Sequence, residues 1–418
     1  MAGRDGIRGN NQSRNAKVRR RRVVIMGGAV GAFLAAAAMA TGSAVTAAPA
    51  KADFEDLLDP IIQPVLTSLT ESLAGFDPAA ATDLTSWSDS LLGNLNSIDL
   101  ALPSTAEPAA GAALPASSDP TTGTYDIPIT VQEDTEPTVN ATVDGADTTL
   151  LVDTGSSGLV IPYTDLGSNI LAQLEGLLEL GLPTGIGESG YSGGVDYIYL
   201  TYDNATVDYG GALTTTNTPI DVEILSWPTS LSSGSPLDFQ QFLADNDSNG
   251  ILGIGDNTAG PTESPLEADG FDGVTVDIPG SDGNGPDLIV DPSNPFTAID
   301  TVDGAPTSTL YESINGGMPV QVSDDVDSGG VFGTIPSTLE SGSSVPSGTT
   351  ISVYDNAAGT GTPLYTYQTG DLGNSGFDGP TVVTGNSIDS GVEPYLEEPI
   401  YIDYSNDMLS FDTDTLSS

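Results

Sequence analysis

One short sequence occurs twice in this chain. Residues 152–162 read Val-Asp-Thr-Gly-Ser-Ser-Gly-Leu-Val-Ile-Pro, and residues 326–336 read Val-Asp-Ser-Gly-Gly-Val-Phe-Gly-Thr-Ile-Pro. Each copy has an apolar residue, Asp, a small hydroxyl residue and Gly, with Ile-Pro at the same offset; the copies lie 174 residues apart. Such a repeat predicts two related lobes, each contributing one Asp to a shared cleft. The surrounding texture says which kind of lobe. From Tyr125 on, short Val/Ile/Tyr/Thr runs (Ile127–Val131, Thr149–Val152, Tyr197–Tyr202, Thr349–Tyr354, Glu398–Tyr404) alternate with Gly, Asn, Asp and Pro turns, an all-β pattern with frequent hairpins. The expected fold class is all-β and two-lobed, with lobes over 121–290 and 291–418.

The chemistry open to such a cleft is narrowed by what the chain lacks. All 9 Lys and Arg side chains lie between Arg4 and Lys51. From Asp53 to Ser418 there is no Lys, Arg, His or Cys, while all but one of the 58 acidic residues, Asp5, fall there. Side-chain salt bridges are therefore impossible in this part. Nucleic acid is excluded as a partner, because nothing neutralises phosphate. A Ser-His-Asp or Cys-His site needs an imidazole. Zinc sites built on His or Cys, a P-loop lysine and a Schiff-base lysine fall for the same reason. Acid–base work is left to Asp and Glu, with no cofactor or metal expected. Without disulfides the fold must rest on its core, which a unit of roughly 300 residues is large enough to build. A surface this acidic repels itself at neutral pH, so greater stability is expected near pH 4 than near pH 8.

Two carboxylates close together can hydrolyse a peptide without metal or nucleophile. At about 3 Å and an effective dielectric near 20 they repel by roughly 5 kcal/mol. One stays protonated, leaving an acid and a base side by side that titrate as a unit. Asp153 and Asp327 are the candidates. Gly155 and Gly329 let backbone N–H groups approach them, and Thr154 and Ser328 supply hydroxyls to brace one loop against the other; Ser156 completes the first loop. Asp389-Ser390-Gly391 is a third Asp-hydroxyl-Gly, but it lacks the Ile-Pro context and is followed by too little chain for a lobe, so it is read as an ordinary turn.

The first motif resembles the active-site loop of pepsin-like aspartic peptidases, over about residues 121–415. Tyr191-Ser192-Gly193-Gly194, leading into Tyr202-Asp203, is similar to that family's flap hairpin and makes Tyr191 the flap candidate, with Tyr197 and Tyr199 as rivals. Asn249-Gly250-Ile251-Leu252-Gly253-Ile254-Gly255 resembles the strand packed behind the first catalytic loop; Val382-Val383-Thr384-Gly385 is taken as its second-lobe counterpart. Gly330 stands where the pepsin pattern has a hydroxyl residue, and Val160 where an aromatic supports the flap. Within the clan the likeness is to the aspartic peptidase domains of mycobacterial PE-PGRS proteins, which implies an aspartic endopeptidase that processes cell-surface proteins such as PE-domain proteins. A polypeptide substrate and a monomer are expected.

Upstream, Arg19–Arg22 precede an apolar run from Val23 to about Ala40 and a small-x-small site at Ala50-Lys51-Ala52. Residues 1–52 read as a bacterial signal peptide, Sec or twin-arginine. The protein is then exported, secreted or held at the cell envelope, with no transmembrane segment in the mature chain. Residues 53–100 show helical spacing, and 101–120 read as an Ala/Pro/Ser-rich linker.

Two other classes are open. Asp245-Asn246-Asp247-Ser248-Asn249-Gly250 with Asp256 fits much of an EF-hand loop, which would suit a non-catalytic, calcium-stiffened β adhesion module; that loop needs a helix on each side, and Ile251–Ile254 reads as a strand. A two-carboxylate glycosidase also survives the loss of His and Cys, but only Trp227 is available in the β region for sugar stacking.

Overall fold

In the computed structural model, residues 123–416 are described, apart from short stretches at 192–193, 230–234, 257, 292 and 371–378. The segments read from the sequence as signal peptide (1–52), helical (53–100) and linker (101–120) lie outside the described residues. The fold is all-β and two-lobed.

The first lobe runs β1 (Tyr125–Gln132), β2 (Glu136–Val143), β3 (Ala146–Asp153), β4 (Ser157–Pro162), α1 (Ile170–Glu179), β5 (Gly185–Gly190), β6 (Val195–Tyr209), β7 (Leu213–Pro228), α2 (Phe239–Asp245), β8 (Gly250–Ile254), α3 (Pro265–Ala268), β9 (Gly273–Asp277) and β10 (Asp287–Val290). The second runs β11 (Phe296–Asp303), β12 (Thr307–Ile314), β13 (Val320–Asp325), β14 (Thr334–Pro336), β15 (Thr350–Tyr354), β16 (Tyr365–Gln368), β17 (Thr381–Val383), β18 (Ser387–Asp389), α4 (Glu393–Glu397), β19 (Ile400–Asp403) and β20 (Met408–Leu416). Ile127–Val131, Thr149–Val152 and Tyr197–Tyr202 fall within strands, while Thr349–Tyr354 overruns β15 by one residue and Glu398–Tyr404 overruns β19 at both ends. No helix among the described residues is long and apolar enough to cross a membrane.

The topology repeats as the motif does. In the first lobe β3 runs parallel to β8, with Leu151 opposite Ile251 and Asp153 opposite Gly253, while β4 is parallel to β7. In the second lobe β13 runs parallel to β18, with Asp325 opposite Asp389, and β14 is parallel to β17. The counterpart of β8 is therefore Ser387–Asp389. Val382-Val383 belongs to β17 and matches the Asp221–Glu223 part of β7, which corrects the sequence reading. Glycine and short apolar residues recur in both stretches, so composition could not choose between them; pairing does.

The lobes share one sheet. Strands β11, β20, β19, β9, β10 and β1 pair edge to edge in that order, and β1 continues into β2 and the rest of the first-lobe sheet. Alternating residues then fill two layers. Val152, Leu159, Ile161, Leu252 and Ile254 enter the main core. Val160 and Ile251, on the opposite face of the same strands, pack with Val195, Tyr197, Phe239 and Leu243 in a smaller cluster beneath the β5–β6 hairpin. Period-two side-chain direction makes this division.

Candidate active site

Asp153 closes β3, and Asp327 sits two residues past the end of β13. Both strands are clamped by a parallel neighbour, so the two carboxyls are delivered from rigid elements to facing loops. The loops are tied to each other by reciprocal hydrogen bonds. The Thr154 hydroxyl donates to the Val326 carbonyl (2.7 Å) and accepts from the Ser328 N–H (2.9 Å). The Ser328 hydroxyl donates to the Val152 carbonyl (2.7 Å) and accepts from the Thr154 N–H (3.1 Å). Thr154 and Ser328 are fully buried, where an unmet polar group costs about 1–3 kcal/mol. The brace therefore fixes the separation of the two Asp residues more firmly than surface contacts could. Tyr395, on α4, joins it: its hydroxyl donates to the Val326 carbonyl and lies 2.8 Å from Thr154 Oγ1.

The carboxyls meet at the centre of this frame. Asp153 Oδ2 accepts from the Ser156 hydroxyl at 2.7 Å. Asp327 Oδ1 accepts from the N–H groups of Gly155 (3.1 Å) and Gly329 (2.8 Å). Gly155 has to be glycine: a Cβ there would lie 2.4 Å from Asp327 Cγ. Asp153 Oδ1 is buried without a hydrogen-bond donor, because what it faces is the carboxyl of Asp327. One proton shared by the pair satisfies both. Burial lifts both groups above the ordinary carboxylate range, and hydrogen bonds from Ser156 and nearby N–H groups partly offset this for Asp153. For Asp327, repulsion from Asp153, Asp389 and Asp325 adds to burial and lifts it further. The two carboxyls are coupled and titrate as a unit, with more neighbouring negative charge around Asp327 than around Asp153.

Tyr191 follows β5 in the turn of the β5–β6 hairpin, where its N–H donates to the Val195 carbonyl at 2.9 Å. Its ring stacks on Tyr197 (5.7 Å) and Phe242 (5.3 Å), with Phe239 at 6.1 Å. Its hydroxyl is buried with no hydrogen-bond partner and is turned toward Tyr197, Ser156 and Asp153. Tyr197 is buried in the cluster below, and Tyr199 donates instead to the Pro261 carbonyl. Of the three tyrosines, Tyr191 is the one in the turn with its hydroxyl toward the pair. The aromatic support missing at Val160 comes from Phe239 and Phe242. Their signal was legible, since Asp238 caps α2 by accepting from the Gln241 N–H and puts the two rings at helical spacing.

Asp389 is not an ordinary isolated turn. It lies beside the pair, half-buried, on the strand packed behind the second loop, and the Asp327 N–H donates to the hydroxyl of Ser390 next to it (3.1 Å). Asp325 and Asp389 occupy the positions held in the first lobe by Leu151 and Ile251. Sequence reasoning missed Asp325 and Tyr395 and set Asp389 aside as a turn; the strand register brings the two carboxyls together. The Asp245–Gly250 loop follows α2 and runs directly into strand β8, so the second EF-hand helix is replaced by a strand. Among the described residues no group of three or more acidic side chains is placed to hold a metal ion.

Two aspartates on hydrogen-bonded twin loops between β lobes define an aspartyl-peptidase-like fold and site. The chain belongs to the PE-PGRS C-terminal aspartyl peptidase-like domain family, whose profile matches residues 125–411. It is 38% identical over 296 residues to PE cleavage protein A of Mycobacterium tuberculosis, and 39% identical over 295 residues to PE cleavage protein A of Mycobacterium marinum. Each alignment covers 67% of this chain and 50% of the relative, so the chain spans about half the length of these relatives. Among solved structures, an aspartic proteinase from Irpex lacteus aligns over 69% of this chain and 96% of its own, at 15% identity and a TM-score of 0.44.

Proposed function

We propose that this protein is an aspartic endopeptidase, with Asp153 and Asp327 as its catalytic pair, in a cleft between lobes spanning about 121–290 and 291–418. The observation that carries the reading is the pair itself: two facing carboxyls, Asp153 buried and Asp327 half-buried, on reciprocally hydrogen-bonded loops. Asp153, the less perturbed, takes a proton from water as the water attacks the peptide carbonyl. Asp327, protonated in this scheme, gives its proton to the carbonyl oxygen as that oxygen gains charge. The intermediate then collapses, the C–N bond breaks, Asp153 passes the proton it took from water to the leaving nitrogen, and Asp327 takes back the proton from the re-forming carbonyl. Gly155, Ser156 and Gly329 hold the carboxyl oxygens, Thr154 and Ser328 hold the loops, and Tyr191 closes over the substrate. No metal or cofactor takes part in this scheme.

The relatives' name, PE cleavage protein A, supports a PE protein as substrate; in this reading the enzyme meets it after export, at the cell envelope, and acts as a monomer. The test is cleavage of casein, an unstructured protein, near pH 4. Cleavage should be blocked by a statine-type transition-state mimic and should fall by at least about a thousandfold in Asp153→Asn and in Asp327→Asn. Full activity in either variant would refute the pair.

A further inference from the structure

The two loops differ where the repeat should make them alike. In the first, the Ser156 hydroxyl donates to Asp153 Oδ2 at 2.7 Å. The repeat carries that position onto Gly330, which has no hydroxyl to give. The space is nevertheless filled. A Cβ on Gly330 would lie 2.2 Å from Asp389 Oδ1 and 2.8 Å from both Cγ and Oδ2 of the same residue. The Asp389 carboxyl thus sits where a side chain at 330 would go. It is fixed there by the Gly391 N–H, which donates to Oδ1 at 2.8 Å. Its own N–H donates to Thr334 Oγ1 at 2.9 Å, so the strand cannot swing it away.

We propose that Asp389, held in its protonated form, replaces the hydroxyl absent at Gly330 and is the positioning residue that orients and biases Asp327. In that form its O–H donates toward Asp327 from the side on which Ser156 donates to Asp153. The proposal rests on the reading of Asp153 and Asp327 as the catalytic pair and adds a third carboxyl to it.

The surroundings decide the protonation. Asp325 faces Asp389 from β13, with Asp324 next to it; Asp327 and Asp153 lie in front. Glu312 on β12 and Tyr365 and Tyr367 on β16 stand behind Asp324. Tyr395 on α4 borders the same carboxyls, and β14 offers only the Thr334 hydroxyl. No cation is present in the sequence after Lys51 to balance them. Burial and these neighbours lift Asp389 well above the ordinary carboxylate range. When it does ionise, the donor is lost and a negative charge appears beside Asp327. The pair then holds its proton differently and cleavage stops, so Asp389 sets the alkaline limit of activity.

The pH profile of kcat/KM for casein cleavage by the full chain tests this. Asp389→Asn keeps a donor and an acceptor but cannot ionise, so its alkaline limb should move up by about 1–2 pH units. Gly330→Ser alone should lose at least about tenfold in kcat/KM from the collision with Asp389. Gly330→Ser combined with Asp389→Ala makes room and restores the hydroxyl, and should recover most of that loss with the same raised alkaline limb. A profile for Asp389→Asn that superimposes on the parent's would overturn the proposal. So would a double variant no more active than Gly330→Ser. If Asp389→Asn does not fold, the double variant decides. A parent chain inactive at every pH between about 3 and 7 would instead refute the peptidase reading.

Discussion

Glu312 gives the sharpest test of how this fold carries its charge. It lies in the middle of β12, paired on one side with β13 and on the other with β15, and is 3% exposed. Its Oε2 has no hydrogen-bond partner. Burial alone pushes its carboxyl from the usual 4.5 up to about 8. The sign follows from linkage. A carboxyl raised in the folded state imposes no penalty below its unfolded value, where it is protonated in both states. It costs stability progressively as pH rises toward the folded value. A carboxyl held near 8 instead of 4.5 costs about 4 kcal/mol by pH 8 and almost nothing at pH 4. Glu312→Gln abolishes the titration at nearly constant volume. It should stabilise the protein by about 2–4 kcal/mol at pH 8, the lower figure allowing for an amide that is itself imperfectly paired. At pH 4 it should be neutral or slightly destabilising. Urea unfolding at both pH values reads the difference directly from the midpoints. An equal effect at pH 4 and pH 8, or a variant less stable than the parent at pH 8, would show that this group is not buried as charge.

The same sign applies more widely. Glu223 and Asp325 are raised to about 7, and Asp165 and Asp221 to about 6, chiefly by burial; the melting temperature should therefore fall steadily from pH 4 to pH 8 in a thermal scan. Thr154→Val should cost about 1–3 kcal/mol by leaving the Ser328 N–H without its acceptor, the Val326 carbonyl keeping the Tyr395 hydroxyl as donor, and adding Ser328→Ala should cost less than the sum of the two single changes. Gly155→Ala should reduce casein cleavage by at least about a hundredfold with only a small change in melting temperature, because the new methyl displaces the Asp327 carboxyl. EDTA should alter neither cleavage nor melting; unfolding on chelation would favour a calcium-stiffened binding module instead.

What the sequence disclosed and what it hid divide along a physical line. Asp153 and Asp327 were legible because a strand-turn unit with a fixed order of small residues was written twice. The strands were legible because side chains alternate across them. The absence of cations was legible by inspection, and it ruled out most other chemistry. Asp325 and Tyr395 were not legible, since nothing local distinguishes them from the many other acids and tyrosines of this chain; Asp389 stood out as a third Asp-hydroxyl-Gly, but without the Ile-Pro context it read as a turn. Only the parallel register of β13 against β18 makes Asp325 and Asp389 neighbours. The same register moved the second-lobe counterpart strand from Val382–Gly385 to Ser387–Asp389. Gly330 showed the converse: the departure from the pepsin pattern was visible at once, but its cause was a residue 59 positions away, found only in three dimensions.

The sheet shared by the lobes has a consequence for anyone who would divide this protein. Its middle joins β9, from before the lobe boundary, to β19, from close to the end of the chain. A fragment stopped at Val290 would bare the whole hydrogen-bonding rim of β9, with Val274 and Val276 at its core-facing positions. Such a rim is a template for another strand. The expressed half should therefore be sticky rather than merely inactive, gathering into pairs or larger aggregates through that seam. Removing β20 alone would strip β19 and β11 of their common partner. β20 is thus the strand that closes the second lobe onto the shared sheet.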